Sequence, residues 1–189
     1  MHGAHVRRTC LTVVATLVLL LTMTAQARAV NYAFLGFHQV DWYYSSLPPH
    51  DPGYLVSAAD LAANQDAPVG IWWNSYGSTA YGTLNNKYGS LCGLHEHVLR
   101  FSVWASSTGQ YLGEVIVAHL AGDASASPWK NGDSAWNGVY LGSEYDSRGS
   151  GGGTCNTGPH IHVERGNEAE WINVGGQNNS IQNALRWSY

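Results

Sequence analysis

Basic residues are scarce in this chain of 189 amino acids, where Lys and Arg number nine against thirteen Asp and Glu. The few that occur form no cluster, which excludes the phosphate-neutralising surface that nucleic-acid binding requires. Long apolar runs are missing too. The main one, CLTVVATLVLLLTM at residues 10–23, falls short of the roughly 20 residues that cross a bilayer, and no second run follows it. No long segment of residues 30–189 carries apolar residues at helical spacing. There is no GxSxG motif, and with it goes the usual setting of a nucleophilic serine. No charge run, repeat or low-complexity linker divides the chain.

The N-terminus reads as a secretory signal over residues 1–29. His5, Arg7 and Arg8 supply a basic start, residues 10–23 the apolar segment, and AQARA the small residues for cleavage near Ala29. The expectation is a secreted protein with no membrane span after cleavage. Residues 30–189 suffice for one domain with a core and are too few for two. Cleavage would remove Arg7, Arg8 and Arg28 and no acidic residue, moving the net charge from −4 to about −7. It would also remove Cys10, one of the three cysteines. In an oxidising compartment Cys92 and Cys155 most simply form a disulfide, worth about 4 kcal/mol in the chain-entropy account. Metal ligation or a nucleophilic role is the alternative for these two thiols.

Short alternating stretches broken by Gly, Asn, Ser and Pro predict an all-β fold, an antiparallel sheet or sandwich. HVLRFSVWAS places Leu99, Phe101 and Val103 on one side, and YLGEVIVAHL follows after the turn signal SSTGQ, which predicts an antiparallel hairpin. NSYGSTAYGTLNNKYGS reads as turn-rich and aromatic, and GSEYDSRGSGGGTCNTGP as a long glycine-rich loop of the kind that walls a groove. NSIQNALRW is expected to include a short helical turn.

The loop ends at TGPHIHVER, residues 157–165. If HIHVER is a strand, His160, His162 and Glu164 share one face while Ile161 and Val163 face the core. A second histidine pair, His95 and His97 in CGLHEH, reads as strand-edge histidines rather than metal ligands.

TGPHIHVE resembles TGPHLHFE, the signature of the lysostaphin-type zinc metallopeptidases. Upstream, IVAHLAG resembles that family's YAHLS, and DLAANQDAPV resembles its DIAAPxGTPV. The three elements occur in family order across about residues 50–165. A cysteine just before the HxH strand is similar to the staphylolysin branch, which carries a disulfide near its groove.

The resemblance implies roles position by position. Asp60, which opens DLAA, matches the zinc carboxylate, and His162 matches a zinc imidazole. His160 and His119 match the two histidines that assist catalysis without binding metal. In the commonest pattern the first zinc histidine stands four residues before the Asp, where this chain has Val56. His50, ten residues before Asp60, is the preferred first ligand, since longer spacings occur in the family. His38, in FHQVDW, is its competitor.

Three ligands from His, Asp and His leave a fourth zinc position open, the mark of a catalytic rather than a structural site. One zinc per chain would acidify water and polarise a peptide carbonyl, with two further histidines moving protons. The implied activity is hydrolysis of peptide bonds in peptidoglycan cross-links or other glycine-containing peptides by a monomeric, secreted enzyme. Trp72, Trp73, Tyr76, Tyr81 and Trp136 could line its groove or fill the core. The alternative is a binding module for cell-wall glycan or peptide that has lost zinc.

Overall fold

Leu99, Phe101 and Val103 alternate with the less buried Arg100, Ser102 and Trp104 along EHVLRFSVWA and lie in the core. That alternation is what a pleated backbone packed on one side requires. The computed structural model describes residues 31–38, 40–50, 53–63, 68–71, 80–89, 96–125, 127–136, 138–143, 160–172 and 184–189. Among these the regular structure is entirely strand, and no helix is long and apolar enough to cross a membrane. The expected signal, both cysteines, Trp72, Trp73, Tyr76, His95 and the glycine-rich stretch 144–159 lie outside the described residues.

Among the described residues of the unit Asn31–Tyr189, twelve strands follow one another. They are β1 (Tyr32–His38), β2 (Val40–His50), β3 (Ser57–Ala63), β4 (Pro68–Ile71), β5 (Ala80–Gly89) and β6 (Glu96–Ala105), then β7 (Tyr111–Ala121), β8 (Ser134–Ala135), β9 (Val139–Ser143), β10 (His160–Arg165), β11 (Ala169–Ile172) and β12 (Ala184–Ser188). They form two antiparallel sheets. The larger has the order β2-β3-β10-β7-β6-β5-β8 and the smaller β11-β12-β1-β4-β9. One apolar core joins them, with Leu35, Ile71, Leu141 and Trp187 from the smaller sheet and Leu61, Phe101, Val117 and Val163 from the larger. The fold is therefore all-β, with two sheets facing each other across a shared core.

The hairpin expected from HVLRFSVWAS and YLGEVIVAHL is β6 and β7, antiparallel and central in the larger sheet. Two expectations are corrected. The turn-rich reading of NSYGSTAYGTLNNKYGS gives way over Ala80–Gly89 to the ten-residue strand β5. Ala80, Gly82 and Leu84 are buried there, and Gly82 has no Cβ because one would stand 3.0 Å from Phe101. The helical turn expected in NSIQNALRW is replaced over 184–188 by strand β12. Leu185 and Trp187 enter the core while Arg186 reaches out to Glu170 at 2.6 Å, a period of two that a helix cannot present.

The face of the larger sheet turned away from the shared core carries a second, small apolar group of Val98, Ile116 and Ala118, with Leu55 and Tyr88 packed on it. His119, His160 and His162 lie on this face.

Candidate active site

Strand parity places the first components. In β10, Ile161 and Val163 belong to the core, so His160, His162 and Glu164 take the opposite face, as the sequence pattern requires. In β3, Leu61 is a core residue and Asp60 takes the opposite face. The two strands pair with His162 directly across from Asp60. Residues 102 positions apart in the chain thereby come into contact, the His162 Nδ1–H donating to Asp60 Oδ1 at 2.8 Å. His160 Nε2 lies 3.7 Å from the same oxygen.

His119 arrives by another route. Regular alternation in β7 would put it beside Val115 and Val117, inside the core. Instead β6 and β7 pair His97 with Leu120 and Leu99 with Val117, so that Val98 alone opposes both Ala118 and His119. This is a β-bulge with one extra residue, the device that re-aims a side chain within a sheet. His119 has φ 61°, a left-handed conformation that costs a non-glycine residue about 1–3 kcal/mol. The bulge lets Leu120 return to the core while the His119 ring stands 4.8 Å from that of His160 and 6.0 Å from that of His162.

Two carboxylates complete the cluster, and the sequence alone assigned neither a role. Glu96, first in β6 and on the same face as Val98, accepts a hydrogen bond from His119 Nδ1 at 2.6 Å, with both side chains buried. Its signal was the i, i+2 relation to Val98, legible only once the face of Val98 is known. Glu164 Oε1 accepts from His162 Nε2 at 3.2 Å. The Glu164 carboxylate also accepts the backbone N–H groups of Gly53, Tyr54 and Leu55 at 2.8, 2.8 and 2.6 Å. Glu164 therefore holds both a histidine of the cluster and the segment Gly53–Leu55 that leads into β3.

Of the buried polar or charged residues described, most belong to this one place: Asp60, Glu96, His119, His160, His162 and Glu164. Burying so many ionisable groups together is unfavourable unless they are paired, and such clusters concentrate at functional sites.

The first zinc ligand expected, His50, is the last residue of β2, and its backbone pairs with Ala58, two residues along β3 from Asp60. Its side chain lies outside those described. His38 ends β1 and pairs with Gly70 in the smaller sheet. Backbone topology thus sets His50, not His38, in the sheet that carries Asp60. Among the described residues no three His, Cys, Asp or Glu side chains form a complete metal site. The donor chemistry still suits a divalent cation. Asp60 Oδ1 and His162 Nδ1 face each other at 2.8 Å, and Glu164 occupies the other imidazole nitrogen, the outer-sphere arrangement that orients a metal-binding histidine.

His97 corrects the strand-edge expectation. It is buried in an interior strand, with Nδ1 at 2.9 Å from the Gly122 carbonyl and Nε2 without a hydrogen-bond partner, and burial holds its pKa below the usual value. Tyr81 and Trp136 stack on each other with centroids 4.1 Å apart.

Burial opposes the charge of His162, but the hydrogen bonds to Asp60 and then Glu164 outweigh it and raise its pKa to about 9. In metal-free protein the folded state thus holds a proton that the unfolded chain releases near 6.5. The stability this adds is complete below about pH 6.5 and is lost as pH rises through about 9. Urea unfolding of chelator-treated protein across that window is expected to show the decline, and His162→Gln to lack it. Equal slopes in the two proteins would contradict the pairing.

Comparison with protein-family models, with curated proteins and with solved structures returned no match.

Proposed function

We propose that this chain is a secreted zinc metalloendopeptidase of the lysostaphin type, hydrolysing peptide bonds in bacterial cell-wall cross-links or other glycine-containing peptides. One observation carries the reading. Asp60, His162, His160 and His119, to which the resemblance gives the roles of one catalytic centre, come from three strands and meet on one face of the larger sheet. His119 reaches that face only through a bulge.

Asp60 and His162 would hold the metal, with His50 as third ligand on the neighbouring strand. When bound, zinc supplies Lewis acidity toward a peptide carbonyl and lowers the pKa of water. Glu164 orients His162 from behind, and His162 must give up its Nδ1 proton for that nitrogen to coordinate. His160 and His119 stand beside the Asp60–His162 pair, where they can take a proton from the attacking water and return one to the departing amine. Water oxygen then bonds to the carbonyl carbon, the C–N bond breaks, and the amine leaves with its proton.

The expected signal at 1–29 and the Cys92–Cys155 disulfide belong to the same proposal. Cys92 leads into β6 and Cys155 into β10, and β6 and β10 flank β7 on either side. Both strands begin beside its final residues, where Glu96 pairs with Ala121 and His162 with Ala118. A bond between the two cysteines would link the chain entering β6 to the chain entering β10.

Protein made under oxidising conditions and purified without chelator is expected to contain about one zinc per chain and to cleave glycine-rich peptide. Chelation should abolish cleavage and zinc should restore it. A zinc-free protein that binds peptidoglycan without cutting it would replace this reading with that of a binding module.

A further inference from the structure

We infer that Glu96 is a positioning residue for His119, selecting the tautomer with the proton on Nδ1 so that Nε2 is the nitrogen that exchanges protons at the scissile bond. The inference rests on the peptidase reading but concerns a residue that the family motifs do not include.

Three observations support it. First, the contact is short and buried: Glu96 Oε2 lies 2.6 Å from His119 Nδ1, with the side chains 1 % and 4 % exposed. An ionised carboxylate only accepts, so it pairs with the tautomer that carries the proton on Nδ1. A charge-assisted bond of this length, shielded from water, is among the stronger ones a protein makes. Second, His119 is the extra residue of a bulge at φ 61°, so neighbouring ladder bonds alone do not dictate where its ring goes. A side-chain anchor on the adjacent strand supplies that direction. Third, the anchor sits on an interior strand of the larger sheet, paired with β7 through Glu96 and Ala121. Where a carboxylate backs a catalytic imidazole in this way, replacing it by the amide keeps the shape and costs up to about 10⁴-fold in rate through the wrong tautomer.

The test uses zinc-loaded protein and the variant Glu96→Gln, with two readouts. Steady-state kinetics on a glycine-rich peptide should show kcat lowered by roughly 10²–10³-fold with KM within about twofold and zinc content unchanged. Nitrogen-15 NMR of the histidine rings, in zinc-loaded and in chelated protein, should show His119 carrying its proton on Nδ1 in the wild type and a shift toward Nε2–H in Glu96→Gln. A wild-type His119 protonated on Nε2 overturns the inference even if the variant does not fold. An active wild type whose kcat survives Glu96→Gln overturns it as well, leaving the peptidase reading standing. A wild type that holds zinc or not but cleaves nothing removes the peptidase reading, and the positioning role falls with it.

Discussion

Asp60→Ala and His162→Ala are each expected to lose most of their zinc and essentially all hydrolysis. The two side chains face each other across paired strands, with Asp60 Oδ1 and His162 Nδ1 2.8 Å apart. In the proposed ligand set, each substitution removes one of three protein ligands, more than the 10–100-fold in affinity that an outer-sphere partner is worth. Glu164→Gln, which leaves both ligands in place, should show that smaller loss. Unfolding has to be separated from metal loss, because His162→Ala leaves two buried carboxylates without their shared imidazole, a change that destabilises by about 3–5 kcal/mol when a buried pair is broken. Asp60→Asn and His162→Gln keep the packing and should lose zinc while still folding. Metal analysis of the folded fraction decides the matter, and zinc retained in either conservative variant would remove these residues from the metal centre. The same measurement settles the first ligand. His50→Ala should behave like Asp60→Ala, and zinc kept in His50→Ala but lost in His38→Ala would move that role to His38.

His160→Ala and His119→Ala should fail differently. Both are expected to retain zinc and lose about 10²–10⁴-fold in rate, the usual scale for an acid–base group or a donor to a developing oxyanion. His160 shares a strand face with His162, yet its Nε2 stands 3.7 Å from Asp60 while His162 makes the close contact at 2.8 Å. His119 is joined to the pair by ring contacts alone. Zinc and peptide hydrolysis measured on the same preparations test the division. Zinc lost in His160→Ala but kept in His162→Ala would reverse the roles of the two histidines.

Much of the architecture was legible because a sheet with one buried face leaves a period-two record in the chain. Leu99, Phe101 and Val103 announced β6, and Ile161 and Val163 announced the buried side of β10, so the shared face of His160, His162 and Glu164 followed from spacing alone. Strand β12 is not legible in the sequence because its alternation runs for only five residues, too short a window to tell period two from a helical turn. Strand β5 was hidden by the Gly and Asn that usually mark turns, although Gly82 is there because Phe101 leaves no room for a Cβ.

What the chain determines by itself is therefore local: which residues can be strand, which face each takes within a regular strand, and which side chains could do chemistry. Register between strands is a different kind of fact, since it depends on partners distant in sequence. Only the tertiary structure set Asp60 opposite His162, placed Glu96 behind His119, and wrapped the backbone of Gly53–Leu55 around Glu164. The bulge shows the limit most clearly. By its own periodicity His119 belongs in the core with Val115 and Val117. It joins the other histidines because β6 and β7 differ by one residue between two paired positions, a mismatch that exists in neither strand until they meet.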